Sequence, residues 1–95
     1  MTLNIKKIDY SKRFLKQLEK APIKIKLTFQ KKLTFFTQDP FYPQLNNHAL
    51  GGKLQGYRSI NITGDWRAIY SETINESGET LILFAMIGTH SQLYK

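Results

Sequence analysis

The groups in this sequence best able to move protons near neutral pH are two histidines, His48 and His90, because an unperturbed imidazole titrates at about pH 6.5. Asp65 and Arg67 stand two residues apart, and Tyr94 follows His90 by four. A carboxylate, an imidazole, a guanidinium and a phenol together suit metal-free cleavage of RNA. In that reaction the ribose 2′-hydroxyl attacks its own phosphate. The protein must supply a base for that hydroxyl, an acid for the leaving 5′-oxygen and a cation for the charge growing on the phosphate. Arginine fits the last role, since its planar fork meets two phosphate oxygens and keeps its charge. Each proton-transfer role is worth on the order of 10²–10⁴ in rate. Other chemistries find less support. The sequence has no cysteine to act as nucleophile or zinc ligand. It has no Gly-rich phosphate loop with its lysine, no GxSxG elbow and no HExxH pair. Two histidines and few carboxylates leave little for a dedicated metal site, and no cofactor is implied.

These side chains act together only if folding gathers them. Residues 3–9 alternate weakly and read as a strand. Ser11 suits a helix N-cap, after which Phe14, Leu15 and Leu18 form an apolar stripe ending near Ala21. Pro22 suits the first turn of a second helix, which the Asp39-Pro40 pair stops. Ile23, Ile25, Leu27 and Phe29 also alternate as in a strand, but Ile25, Phe29, Leu33 and Phe36 continue at helical spacing, which favours helix. Residues 40–56, rich in Pro, Asn and Gly, read as loop. Three strands follow over 57–63, 66–74 and 80–88, with Gly64-Asp65 as a two-residue hairpin turn and 75–79 as a second turn. The expected fold is α+β: an antiparallel sheet of about four strands with two N-terminal helices on one face, in the order β-α-α-β-β-β.

In such a meander the Gly64-Asp65 turn and the exit of the last strand lie at one end of the sheet, which brings Asp65 and His90 together. Arg67, two residues beyond Asp65, points the same way, and Tyr94 lies one turn from His90 if the tail is helical. His48 precedes the strand that starts at the opposite end. The chain from 49 to 56 can span about 26 Å against about 23 Å for a seven-residue strand, so His48 can reach the site although no spacing requires it. Plainer readings stand beside these: Asp65 as an ordinary turn residue, His90 as a polar strand end, Tyr94 as packing for the tail.

Charge adds an independent signal. The 95 residues carry a formal net charge of +7. Residues 1–40 hold ten Lys and Arg against Asp9, Glu19 and Asp39, while the rest of the chain is balanced. A basic surface of this kind suits a polyanion with salt-dependent binding, or a solvated face, or an acidic protein partner. The length fits one domain over residues 1–95, and 41% hydrophobic residues suffice for a core without disulfides. No segment has the pattern of a signal peptide or the length of a membrane span, so a cytoplasmic location is expected.

Three segments carry a family resemblance: His48-Ala49-Leu50-Gly51-Gly52-Lys53-Leu54-Gln55-Gly56-Tyr57-Arg58, then Gly64-Asp65-Trp66-Arg67-Ala68-Ile69-Tyr70, then Gly88-Thr89-His90-Ser91-Gln92-Leu93-Tyr94. In this order and spacing they resemble the RelE/ParE toxin superfamily, most closely its YafQ-like branch. The resemblance implies the toxin of a type II toxin-antitoxin system, a ribosome-dependent endoribonuclease that cuts mRNA and is neutralised by a cognate antitoxin. It also implies a toxin-antitoxin assembly on operator DNA. By the same resemblance His48, Asp65 and His90 match functional positions, with His90 as acid and Asp65 or His48 as base. Arg67 matches an arginine that stabilises the scissile phosphate, and Arg58 is a second phosphate contact. Trp66 flanks the site, and Tyr94 replaces an aromatic residue near the C-terminus. Asn61 departs from the pattern, standing where the branch has another histidine, and asparagine transfers no protons at neutral pH. Two other functions share these features: a ParE-like toxin that poisons DNA gyrase by binding, and a catalytically inactive basic RNA-binding or co-repressor domain.

Overall fold

The computed structural model describes residues 5–94. Strand β1 (Ile5–Tyr10) leads into helix α1 (Lys12–Lys20) and helix α2 (Ile23–Gln38). After two short 3₁₀ turns that flank strand β2 (His48–Ala49) come β3 (Arg58–Asn61), β4 (Trp66–Ile74), β5 (Thr80–Thr89) and a closing helical turn, α3 (His90–Leu93). The strands form one sheet in the order β1-β5-β4-β3-β2. The fold class is as expected, with two corrections. The sheet has five strands rather than four, and β1 lies parallel to β5 while the other pairs are antiparallel. Residues 3 and 4 of the expected first strand lie outside the described residues.

Local chemistry explains where the helices start and which face they bury. Ser11 caps α1: its Oγ accepts from the Phe14 N–H at 3.0 Å and donates to the Ala85 carbonyl at 2.7 Å, tying the helix start to β5. Pro22 precedes α2, and its carbonyl accepts from the Ile25 and Lys26 amides at 2.9 and 3.1 Å. The alternation in 23–29 resolves as helix. Ile25 and Phe29 are buried, whereas Ile23 and Leu27 are 69% and 60% exposed, which one strand face would not permit.

The core lies between these helices and one face of the sheet. Phe84 is its hub, with ring centroids 5.6 Å from each of Phe14, Phe29, Phe36 and Tyr70. Offset and edge-on rings at this spacing add to the area they bury. The β4–β5 register shifts between Ile69 and Tyr70, which pair with Met86 and Phe84, so Ala85 is the extra residue of a bulge.

The loop region corrects two further expectations. Within residues 40–56, His48 and Ala49 pair with Ser59 and Arg58, adding the fifth strand. The β3–β4 connection is no two-residue turn on Gly64-Asp65. Strand β3 ends at Asn61, residues 62–65 make the link, and Gly64 keeps a φ open to any residue. Here the Trp66 carbonyl accepts from the amides of Ile62 and Thr63 at 2.8 and 3.2 Å, and the Trp66 amide donates to Thr63 Oγ1 at 3.1 Å. A threonine hydroxyl thus organises the turn in place of a left-handed glycine.

Candidate functional site

Cross-strand partners share a face of a sheet, and residues two apart along a strand share it too. One row of the register runs His48–Ser59–Ile69–Met86, and the next runs Asn61–Arg67–Gly88. Both rows lie on the face opposite the helices, because the alternate residues Ile60, Ala68, Tyr70 and Phe84 belong to the helix-covered core. His48, Asn61 and Arg67 therefore project from one face. Two buried polar atoms without a hydrogen-bond partner among the described residues, Ser59 Oγ and Arg67 Nε, sit on that same face. Such groups are costly to leave unpaired, by about 1–3 kcal/mol each, and native proteins retain few of them.

The hairpin end of this face is held by Arg67. Its guanidinium donates to Asn61 Oδ1 across the strand pair and to the Gly64 carbonyl at 2.8 Å. One cation thus stitches β3, β4 and their connection together while presenting its charge at the end of the sheet. Next to it the last strand turns into α3. Thr89 Oγ1 accepts from the Gln92 amide at 3.3 Å, and Gln92 Oε1 accepts from the Thr89 amide at 2.8 Å, a reciprocal cap. The turn folds back closely over Gly88, where a Cβ would come within 2.9 Å of Gln92 Oε1.

Asp65 and His90 meet at this end. The His90 amide donates to the Asp65 carbonyl at 2.9 Å, and Trp66 pairs with Thr89 one step before it. Their side chains are both exposed and make no hydrogen bond to each other among the described residues. The Tyr94 ring packs against the His90 imidazole with centroids 4.7 Å apart, one turn along, because the tail is helical.

His48 is not on a loop at the far end. It sits midway along the open face, opposite Ser59, about 10 Å across two strands and about 7 Å along them from Arg67. Its Nδ1 lies 2.8 Å from the Asn46 carbonyl. A carbonyl only accepts, so Nδ1 carries the hydrogen and the neutral ring keeps its lone pair on Nε2.

Two expected residues lie elsewhere. Arg58 faces the helix side: its Nε donates to Asn47 Oδ1 at 2.7 Å, and its guanidinium lies 5.2 Å from the Phe41 ring centroid. Asn47 Nδ2 in turn donates to the Tyr70 hydroxyl at 2.7 Å and the Pro40 carbonyl at 2.9 Å. Burial raises the Tyr70 phenol above its ordinary pKa, a shift only partly opposed by the Asn47 hydrogen bond and the Arg58 charge. This network anchors the 40–49 segment. Trp66 also turns to the helix side and packs against the core.

The sequence reading missed two cations. A cleft of about 330 Å³ is lined by Arg13, Lys53, Leu54, Met86, Leu93 and Tyr94, among others, so both cations border the open face near the tail. Lys53 was legible as the one cation within a glycine-rich stretch. Arg13 was hidden in the bulk charge of α1, and only the packing of that helix against the β5 edge brings it round. The eight Lys and Arg of α1 and α2 make no ion pair among the described residues, where the only such pairs are Lys6–Glu79 and Lys7–Asp9. No three His, Asp or Glu among those residues gather closely enough to share a metal ion. None of the described helices is long and apolar enough to cross a membrane.

Over residues 4–95 the sequence matches the family described as bacterial toxin of type II toxin-antitoxin system, YafQ. Among solved structures, YafQ from E. coli strain BL21(DE3) is similar with a TM-score of 0.76 and 25% identity, covering 93% of this chain and 97% of that one. A chain of the E. coli DinJ-YafQ complex is similar with a TM-score of 0.67 and 26% identity, over 93% and 97% of the two chains. The YoeB/ParE toxin from Agrobacterium tumefaciens shares the fold, with a TM-score of 0.71 at 18% identity over 88% and 98%. No curated protein matches the sequence significantly.

Proposed function

The chain belongs to the YafQ toxin family of type II toxin-antitoxin systems, and on that premise we propose that it is an endoribonuclease cutting ribosome-bound mRNA by acid–base chemistry. The observation that carries this reading is the junction of Asp65 and His90, joined through main chain at 2.9 Å, beside the Arg67 guanidinium at the end of an open sheet face.

The attacking 2′-oxygen and the leaving 5′-oxygen lie roughly in line through phosphorus, so acid and base must approach from opposite sides, each within about 3 Å of its oxygen. His90 and His48 flank Arg67 from the tail and from β2, which suits such a division. His48 Nε2, with its lone pair free, takes the proton of the 2′-hydroxyl as that oxygen bonds to phosphorus. His90 gives its proton to the 5′-oxygen as the P–O bond breaks, leaving a 2′,3′-cyclic phosphate and a 5′-hydroxyl end. Asp65 adjoins His90 through main chain, and the Tyr94 ring packs at a tilt against the imidazole and steadies it. Arg67 meets the non-bridging oxygens. Asn61, fixed on Arg67, positions that charge and transfers no proton. Arg13 and Lys53 at the adjoining cleft hold flanking phosphates.

The partners follow from charge and kinship. The cations of α1 and α2, which make no ion pair among the described residues, suit ribosomal RNA; on this reading the protein acts in the cytoplasm and the ribosome orients the message. The DinJ-YafQ complex supports a cognate antitoxin here too, and a toxin-antitoxin assembly on operator DNA would follow. The test is induced expression with mapping of mRNA ends, beside His90→Ala. New 5′-hydroxyl ends that vanish in the variant support the reading. Intact messages with induced DNA damage would point instead to a gyrase poison.

A further inference from the structure

His48 stands on the shortest strand of the sheet. Strand β2 has two residues and two register pairs, His48–Ser59 and Ala49–Arg58, and it forms one edge of the sheet. So short an edge strand has few bonds of its own, and the two residues before His48 add the rest of its hold. Asn47 supplies the first part. Its side chain reaches three separate places in the fold: Nδ2 donates to the Tyr70 hydroxyl at 2.7 Å and the Pro40 carbonyl at 2.9 Å, and Oδ1 accepts from Arg58 Nε at 2.7 Å. A guanidinium only donates and a carbonyl only accepts, so the sense of this carboxamide is fixed and both its hydrogens are used. Tyr70 is fully buried in the helix-covered core. Asn47 is thereby drawn to the helix side, and alternation along the chain sends His48 to the open face.

Asn46 supplies the second part. It ends the 3₁₀ turn Pro43–Leu45 with φ 46° and ψ 48°, the one left-handed backbone outside glycine among the described residues. Asparagine tolerates that region better than most residues, yet it is sparsely populated and persists where the surroundings impose it. Here the buried Leu45 on one side and the clamped Asn47 on the other impose it. The Asn46 carbonyl is thereby aimed at the His48 ring, 2.8 Å from Nδ1, which holds the hydrogen on Nδ1 and leaves the lone pair on Nε2. An unrestrained imidazole in water favours the other tautomer, which carries a hydrogen where a base needs its lone pair. We infer that Asn47 and Asn46 are positioning residues for His48. Asn47 fixes its place on the open face, and the left-handed Asn46 carbonyl fixes its ring and tautomer. Only the value of this for cleavage rests on the nuclease reading; the placement and the tautomer do not.

Nitrogen NMR on histidine-labelled protein reads the tautomer without any turnover. The chain has two histidines, and His48→Ala identifies which signals belong to His48. At about pH 8.5, two units above an ordinary imidazole, His48 should carry its hydrogen on Nδ1. Asn46→Val should shift it mainly to Nε2, because a β-branched side chain disfavours left-handed backbone. Asn46→Gly adopts that backbone readily and should recover the parent tautomer. On ribosome-bound mRNA, Asn46→Val should slow single-turnover cleavage roughly 10–10²-fold, the scale of a misplacement of about 1 Å. The half-saturating ribosome concentration should stay unchanged, and Asn46→Gly should regain most of the rate. Asn47→Ala should mix the tautomers and slow cleavage too. It also strips a partner from Arg58 and Tyr70, so its melting temperature is measured alongside and the Asn46 pair decides. A parent hydrogen on Nε2, or the same tautomer in Asn46→Val as in the parent, would overturn the inference. So would a rate indifferent to the tautomer while His48→Ala abolishes cleavage. Tautomers as expected in a parent that cuts no mRNA would sink the nuclease reading alone.

Discussion

The amide of His90 donates to the carbonyl of Asp65 at 2.9 Å, so the tail imidazole and the hairpin carboxylate are placed by main chain rather than by each other's side chains. Either side chain can be removed without breaking that contact. His90→Ala and Asp65→Ala should therefore fold as the parent does, and their thermal melts should coincide with it. His90→Ala should lose roughly 10²–10⁴ in cleavage rate, as should His48→Ala if it is the base. Asp65→Ala, which removes support rather than a proton carrier, should lose less. A fall in melting temperature matching the fall in activity would show that these residues hold structure instead.

Arg67 and Asn61 form one unit on the open face. Asn61→Ala frees the guanidinium and should lower the single-turnover rate through misplacement of its charge. Asn61→Asp would grip Arg67 more firmly but neutralise it. If the charge is what serves the phosphate, the aspartate variant should be at least as slow as the alanine variant. If it were faster, positioning alone would be the function of the pair.

Much of this arrangement can be read from sequence where the physics is local. The cap at Ser11, the stop at Asp39-Pro40, the strand over Trp66–Ile74 and the meeting of Asp65 with His90 all follow from short-range pattern and chain direction. What could not be read is set by pairing between distant segments. Two residues at His48–Ala49 carry no periodicity, and only their register against Ser59 and Arg58 makes them a strand. The same register sends Arg58 to the helix side, where it pairs with Tyr70, so a cation in a motif proves to be an anchor. The Thr63 hydroxyl that shapes the hairpin end was masked by the more familiar Gly64-Asp65 signal.

The helical resolution of residues 23–29 has a direct test in stability. Ile25→Ala empties part of the core and should cost about 2–5 kcal/mol. Leu27→Ala, at a position 60% exposed, should fall within about 0.5 kcal/mol of the parent. Equal losses at both positions in denaturant melts would mean that one face buries them together, as a strand would.

Gly88 is needed for the close return of α3. The atom a Cβ would meet is the end of a flexible side chain, Gln92 Oε1 at 2.9 Å, with Leu93 Cδ2 at 3.3 Å. Gly88→Ala should therefore displace Gln92 from the Thr89 amide rather than shift the backbone. Losing that half of the cap costs about 1 kcal/mol, a drop of about 4–8 °C in melting temperature for a domain this small. In the Gly88→Ala background a further Gln92→Ala should cost less than it does alone. Simple additivity would show that the methyl is accommodated some other way.

The buried Tyr70 gives the fold an alkaline limit. Its phenol is held above the ordinary value of 10.0, with burial as the main cause. The native state therefore holds that proton more tightly than the unfolded chain does. The stabilisation is complete below about pH 10 and is lost as pH rises through the folded value, since the unfolded chain then gives up its proton first. Melting temperature should accordingly decline above pH 10 in the parent. Tyr70→Phe, which cannot ionise, should decline less steeply even if it starts lower through loss of the Asn47 hydrogen bond. Tyr10 is also raised by burial, so some slope should persist, and Tyr10→Phe measures that share. Parallel curves for the parent and Tyr70→Phe would mean that the phenol is hydrated in solution and that the Asn47–Arg58 network does not seal it.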